Sequence, residues 1–385
     1  MNESNEKINR QTSSRKAPSS LKIPVILLYM AALLLMMELL VRMYWNEPPA
    51  TTLVGGNHPR YHHWPSYMPD NLIGRMDMRR KKHALEKSPG LKRIIFLGDS
   101  YTFGLGVPES QTIAHFLQKR LNHEYGQGKF EVLNYGMVSY SPIIEELIYR
   151  DIVSRLEPDL VILQMDSFDP QEDHLYAELA SFDEEGATEA INGIPPENSG
   201  IERLALVRFA EFAANVIRYD GNYVRPDLRL DLRSDFFYEP EKYGNWLDYT
   251  FSILTRLNER ILADKAKLLL ITYPNPLYLK NKDGYEQAIR FISNDFRTHD
   301  HETKLPDIII QRCKERGIEY LNLWPAFRHE EEQPSPDRGF DLIFNQLDGH
   351  YTVWTNKWVS ELIFNALQQR ITDYNLPEKS KLPSP

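Results

Sequence analysis

Two rhythms of apolar residues alternate along residues 92–165. "RIIFLG" (93–98) is an unbroken apolar run closed by glycine, the pattern of a strand buried on both faces. In "SQTIAHFLQKRLNHEY" the residues Ile113, Phe116, Leu117 and Leu121 fall at helical spacing. "KFEVLNYG" reads as a second strand, ending at Gly136. "SPIIEELIYRDIVSRLEPD" places Ile144, Leu147, Ile148, Ile152 and Leu156 on one helix face, with Pro142 suited to its first turn. "DLVILQM" is a third buried strand. The order βαβαβ predicts an α/β fold with a central parallel, doubly wound sheet.

The rhythm breaks over residues 170–245. This stretch holds acidic residues, the turn-rich "NGIPPENSG", an amphipathic helix around 201–219 and the aromatic "DFFYEPEKYGNW". A structureless connection of that length is improbable in a compact domain, so it reads as an inserted subdomain or lid. The aromatic residues of 236–249 are expected to serve as lid packing. Alternation then resumes: a helix near 246–264, the strand "KLLLITY", a helix around 302–316, the strand "IEYLNLW" and a last helix from about 352 to 371. The tail 374–385, "YNLPEKSKLPSP", reads as disordered.

The amino-terminal part follows different rules. Residues 23–41 are apolar except for Glu38, about the length a bilayer core requires. Their leucine, isoleucine and valine side chains favour insertion by about 3–6 kcal/mol, against a cost of about 2.5–3.5 kcal/mol for one central acid. Glu38 lies near the end of the span and costs less there. Lys7, Arg10, Arg15, Lys16 and Lys22 precede the span, whereas only Arg42 follows it before Arg60. The positive-inside bias therefore keeps residues 1–22 cytoplasmic, makes 23–45 a transmembrane anchor and sends the rest outside, periplasmic or extracellular. A cleaved signal peptide is the competing reading, but the apolar stretch is long for one and "YWNEPPATT" lacks a clean small-x-small site. Residues 46–91, rich in Pro, His, Tyr and Arg, read as a stalk and peripheral wrap.

Charge and rare residues exclude several classes. The net charge is −9. Residues 1–22 carry five basic and two acidic side chains, so the remainder sums to −12. That leaves no basic face for nucleic acid. Cys313 is the only cysteine, so no intrachain disulfide forms, and it reads as a small buried hydrophobe. His58, His62 and His63 lack acidic or cysteine partners at a familiar metal spacing, and His299 and His301 read as part of a solvated loop.

Chemistry in a doubly wound sheet gathers beyond the carboxyl ends of the strands. Ser100 follows the first strand and Gly136 the second. The third ends in "QMDSFD", and the loop "NQLDGHYT" brings Asp348 and His350 just ahead of the last helix. A serine nucleophile needs a base, a group orienting the base, and donors for an oxyanion. Ser100, His350 and Asp348 supply the first three. A glycine at 136 lets a backbone N–H approach a substrate oxygen. Taken singly, Ser100 is as well explained as a helix cap and His350 as a surface histidine. Asp99 is expected to organise the turn.

"FLGDSYTFG" resembles the first block of the SGNH (GDSL-type) esterase and lipase family, whose serine sits in a G-D-S turn. "LNYGMVSYS" resembles the second block, with its oxyanion glycine at Gly136. "DGHYTVWTNKWVSELI" resembles the closing block, whose aspartate and histidine complete a triad. The likeness spans roughly residues 92–370, interrupted by the 170–245 insertion, within an expected catalytic domain of residues 92–373. It implies a flavodoxin-like three-layer sandwich, the SGNH hydrolase fold, and a membrane-anchored serine hydrolase cleaving O-acyl esters, with no metal or organic cofactor. The substrate would be an acyl ester, with acylated glycans and lipids among the classes such enzymes use. Two alternatives accompany it: an O-acetyltransferase or deacetylase of an envelope polysaccharide using the same residues, and an inactive relative that binds a glycan or partner.

Two positions depart from the family pattern. Asp348 and His350 have only Gly349 between them, where D-x-x-H is frequent. The third block, G-x-N-D, aligns with "DSFD", placing Asp166 on the glycine, Phe168 on the asparagine and Asp169 on the aspartate. Phenylalanine donates nothing, and a lost oxyanion donor costs about 2.7–4 kcal/mol. An ionised aspartate about 4 Å away would add roughly 4 kcal/mol of repulsion. Ser167 and Gln164 are the candidates to replace the missing amide.

Overall fold

A computed structural model of the protein describes residues 22–44, 56–58, 60–64, 74–191, 210, 236, 239–280, 284–285, 303–339, 341–370 and 374. The chain divides into two units, Met1–Pro48 with Asn198–Tyr223, and Pro49–Glu197 with Val224–Pro385.

In the first unit the anchor stretch is one helix, α1 (Lys22–Tyr44). Its Pro24–Met43 portion is long and apolar enough to cross a membrane, a test that a signal sequence also passes. Glu38 pairs with Arg42 one turn along at 2.7 Å, so the single acid of the span has a counter-charge. The helix expected around 201–219 lies outside the described residues, apart from Ala210.

The second unit opens with a two-stranded ribbon, β1 (Gly56–His58) and β2 (His62–Trp64). The sheet follows. Strand β3 (Lys92–Gly98) leads into the short helix α2 (Ser100–Phe103) and then α3 (Ile113–Tyr125). Next come β4 (Phe130–Asn134), α4 (Pro142–Asp151), β5 (Leu160–Met165) and α5 (Asp169–Ala177). A small hairpin, β6 (Ala180–Phe182) and β7 (Thr188–Ile191), occupies the start of the predicted insertion. Helix α6 (Gly244–Ala263), β8 (Lys267–Thr272), α7 (Leu305–Glu315), β9 (Tyr320–Asn322), α8 (Trp324–Glu332) and α9 (Val353–Gln369) complete the unit.

The five long-range strands pair in parallel in the order β4-β3-β5-β8-β9. This is the flavodoxin-like arrangement, with its reversal of direction between β3 and β5. Helix α3 packs against α9 on one face. Helices α4, α5 and α6 pack together on the other, with α7 joined to α6 by Arg312–Asp248 at 2.9 Å. The expected α/β fold with a central parallel sheet is what the chain adopts. Residues 94–97 and 160–163 are wholly buried, as strands covered on both faces require.

Three boundaries differ from the sequence reading. Of the stretch expected as stalk and peripheral wrap, residues 74–91 are built into the core unit, since Met76 and Met78 sit in the hydrophobic core. Helix α5 packs against α6 as part of the layer rather than as a lid. Tyr374, assigned to the tail, is buried. The aromatic stretch behaves as packing: Phe236 and Trp246 meet Tyr243 at 5.6 and 4.4 Å, and His174 of α5 stacks on Trp246 at 4.8 Å.

Arg93 ties down the opposite, amino-terminal edge of the sheet. Its side chain is fully buried, pairs with Glu131 at 2.6 Å and donates to the carbonyls of Ala84, Leu85 and Leu156. Arg93→Ala would orphan the Glu131 charge and three acceptors. The expected loss is about 3–5 kcal/mol, read from the denaturant midpoint.

Candidate active site

Strand β3 delivers Ser100 to the carboxyl edge through a turn with no room for side chains. Gly98 has φ 149°, and a Cβ there would lie 2.1 Å from Thr102 Oγ1. A Cβ on Gly136 would lie 2.5 Å from Thr102 Cγ2 and 2.8 Å from the Phe103 nitrogen. The two glycines thus let α2 sit directly on the strand ends. Asp99 caps α2, its Oδ1 accepting the Tyr101 N–H at 2.9 Å, and Gly104 closes it in the left-handed conformation. The Ser100 N–H, at the first helical position, donates to no described group.

The loop ahead of α9 is tightly folded. Asn345 Oδ1 accepts the Leu347 N–H at 2.8 Å, the Asn345 N–H donates to the His350 carbonyl at 2.7 Å, and Phe344 bridges to Tyr351. Its outcome is a contact across the chain: Ser100 Oγ lies 2.8 Å from His350 Nε2. Asp348 Oδ1 lies 3.4 Å from His350 Nδ1 and accepts the His350 backbone N–H at 3.1 Å. The D-x-H spacing explains this sharing. With one intervening residue, the carboxylate oxygen reaches its own loop's amide as readily as the ring, and Nδ1 is left without a good hydrogen bond. Burial pushes the Asp348 carboxyl up, but the His350 side chain and amide more than offset this and hold it below its ordinary value. A hydroxyl bonded to an imidazole that itself faces a carboxylate can hand its proton to the ring and become nucleophilic.

The predicted oxyanion donors are placed differently from one another. The Ser100 N–H is open. The Gly136 N–H donates to Asn134 Oδ1 at 3.0 Å and is already engaged. Gln164 is wholly buried beneath α2, its Oε1 accepting from Thr102 Oγ1 at 2.8 Å. Ser167 donates to Asp166 Oδ1 at 3.0 Å and accepts from Asn275 Nδ2 at 2.6 Å. The Ser167 hydroxyl is engaged on both sides, whereas Gln164 Nε2 has no hydrogen-bond partner but is buried away from solvent. Phe168, in the asparagine position, is partly buried against the core.

Sequence reasoning passed over two residues. Ser139, in the loop after β4, is a non-glycine residue at φ 60°, is partly exposed, and its N–H makes no hydrogen bond to described residues. A strained backbone with an open amide at the strand ends is a feature of functional loops. Nothing in the residue type announces it. Tyr101 donates its hydroxyl to the Gly349 carbonyl at 3.0 Å, and its ring lies 5.2 Å from that of His350. It fastens the Ser100 helix to the histidine loop. A large aromatic directly after the serine was its signal.

The repulsion expected from an ionised aspartate is weakened at Asp169. Burial first, then Glu145 and Asp99, push the Asp169 carboxyl well above the ordinary range, which favours its neutral form. Burial likewise raises Asp166 to about 6, against bonds from Ser167 and Asn275 and the nearby His350 that pull it down. Asp99 behaves as a turn organiser, also taking the Tyr273 hydroxyl at 3.3 Å. Among the described residues no cluster of histidine, cysteine or acidic side chains is arranged to hold a metal. The side chains of His58, His62, His63, His299 and His301 lie outside the described residues, and Cys313 is buried.

No family model matches the chain, and no curated protein matches it. Among solved structures, the acetyl xylan esterase AlAXEase is 14% identical with a TM-score of 0.40, over 71% of this chain and 99% of that one. A catalytic mutant of Axe2, an acetylxylan esterase from Geobacillus stearothermophilus, is 12% identical with a TM-score of 0.38, over 73% and 95%. TesA is 12% identical with a TM-score of 0.37, over 72% and 99%. With TM-scores below 0.5, nothing about the chemistry of the site follows from these likenesses.

Proposed function

We propose that the chain is an SGNH-type serine esterase, held to a membrane by α1, that cleaves O-acyl esters. The observation that carries this reading is the 2.8 Å approach of Ser100 Oγ to His350 Nε2 across 250 residues of chain. Ser100 attacks the acyl carbonyl while His350 accepts its proton and later returns it to the leaving alcohol. Asp348, kept ionised, favours the imidazolium that forms. The open N–H groups of Ser100 and Ser139 receive the oxyanion, and Gly136 serves only on releasing Asn134. Water then releases the acyl group, and a sugar hydroxyl in its place gives transfer to an envelope polysaccharide. The surplus of basic residues before α1 favours a cytoplasmic amino terminus and a site facing outward, where acylated glycans and lipids are the accessible ester classes.

The absence of an amide at Phe168 favours a second reading, in which the site binds an acylated glycan without turnover. One experiment separates them. The full chain in detergent, treated with a fluorophosphonate probe, is expected to label covalently, and Ser100→Ala is expected to abolish the label. A wild-type protein that stays unlabelled while folded overturns the esterase reading.

A further inference from the structure

Residues 75–83 fold back as a narrow hairpin. Met76 bridges to Lys82, and the Asp77 and His83 N–H groups donate to the Lys81 and Arg75 carbonyls at 3.0 Å. The hairpin covers β4, which is an edge strand. The Met78 N–H donates to the Asn134 carbonyl at 2.9 Å, and Lys81 Nζ to the Val132 carbonyl at 2.7 Å. One side chain, Arg79, then reaches past the strand toward the Ser100 turn, and Asp77 supports it from within the hairpin.

Asp77 is buried and accepts three backbone N–H groups, those of Arg79 and Lys81 at 2.9 Å and of Asn134 at 3.0 Å. Asn134, fixed in this way, donates Nδ2 to the Thr102 carbonyl at 2.7 Å. Arg79 donates to the Val107 carbonyl at 2.6 Å and the Gly104 carbonyl at 3.5 Å, with its guanidinium 4.4 Å above the Phe103 ring. The hairpin therefore holds the carboxyl-terminal carbonyls of α2 and the loop 104–107 that follows. That same loop lies against the histidine side of the site, since a Cβ on Gly106 would lie 4.0 Å from Asp348 Oδ2.

We infer that Arg79, supported by Asp77, is a positioning residue: it fixes the 104–107 loop between the Ser100 helix and Asp348, so that hydroxyl, imidazole and carboxylate keep their register. The inference rests on the esterase reading and is tested so that the two fail separately. A guanidinium suits the task because one planar fork serves two carbonyls and a ring, which an ammonium cannot do. Misplacing reacting groups by about 1 Å costs on the order of 100-fold in rate.

The experiment uses the full chain in detergent, with Arg79→Ala, Arg79→Lys and Asp77→Asn, and follows fluorophosphonate labelling of Ser100 together with kcat and KM for p-nitrophenyl acetate. Arg79→Ala is expected to lower kcat and the labelling rate by about 10- to 100-fold with KM within about twofold. Arg79→Lys recovers part of the loss, and added millimolar guanidinium chloride recovers more of it in the alanine variant. Asp77→Asn shows a smaller loss of the same kind. Wild-type labelling with an undiminished rate in Arg79→Ala overturns the positioning role and leaves the esterase reading standing. A slow alanine variant that neither guanidinium nor lysine improves also overturns it. An unlabelled wild type removes both. If Arg79→Ala does not fold, a kcat for Arg79→Lys equal to wild type counts against the role.

Discussion

His350→Ala leaves a folded protein whose ester hydrolysis falls by about 10⁴-fold or more, and adding Ser100→Ala lowers it no further. In the proposed mechanism the two side chains act through one proton transfer, so removing either removes the whole step, and what persists is binding and oxyanion stabilisation. Little stability is at stake. The imidazole is nearly buried with Nδ1 unsatisfied, so deleting it also deletes an orphaned polar atom. The expected melting temperature is equal to that of the wild type or slightly higher, the pattern of a residue retained for chemistry rather than for packing. Steady-state hydrolysis of a short-chain ester and thermal melts of the three variants check both halves. Additive losses in the double variant would show that the hydroxyl and the imidazole do not work together.

The second large effect is on stability. The protein is expected to be less stable at pH 8 than at pH 5, by an amount on the order of a few kcal/mol. Asp166, Asp169, Asp173, Glu145, Glu172 and Asp99 are buried beside one another on α4, α5 and the ends of β3 and β5. Burial raises Asp173 to about 7, against its bonds from Thr250 and the Ile143 amide, and raises Asp166 to about 6. Asp99, Asp169, Glu145 and Glu172 are pushed well above their ordinary range, again by burial first and then by one another.

An acid raised in the folded state holds its proton there more tightly than in the unfolded chain. Its contribution is intact below the unfolded value near 4 and is lost as pH climbs to the folded value. From pH 5 upward Asp166 and then Asp173 give up their protons in the folded state and lose this contribution. The four more strongly raised acids add to this loss. His83, lowered by burial, opposes the trend as pH falls below its ordinary value, and Asp151 and Asp159, held low by Arg and Lys, act only below about pH 4. Urea titrations at pH 5 and pH 8 read the difference, and Asp173→Asn should flatten it. A midpoint that rises with pH would mean these acids are not buried neutral.

How much of this was legible in the sequence depends on what kind of pattern held each part. Strands β3, β5 and β8 are apolar runs and β4 a short alternating one, set between helices of regular period, so their order and parallel pairing follow from elementary rules. The parallel topology alone sends Ser100, Gly136 and His350 to one edge of the sheet. Helix α8 was hidden because "WPAFRHEEE" opens on Trp-Pro directly after a strand and ends in a run of like charges. The sequence shows the hairpin 75–83 only as part of a stalk and peripheral wrap because it contributes two methionines among charged residues, and its order comes from Asp77, Arg79 and Lys81 bonding to distant backbone. Ser139 was invisible for another reason: its interest lies in a left-handed backbone that no composition reveals. The Gly136 amide was legible as a position, but its engagement by Asn134 belongs to the turn as folded.

The 250 residues between Ser100 and His350 also set an order of events during synthesis. On a ribosome the serine turn, its cap and three strands emerge long before the imidazole exists to receive a proton. A nascent or prematurely ended chain therefore carries an ordinary alcohol at that rim, harmless to acylated molecules on either side of a bilayer. Chemical competence, on the reading proposed above, is among the last properties the polypeptide acquires, and a fluorophosphonate signal would report a completed and correctly folded chain.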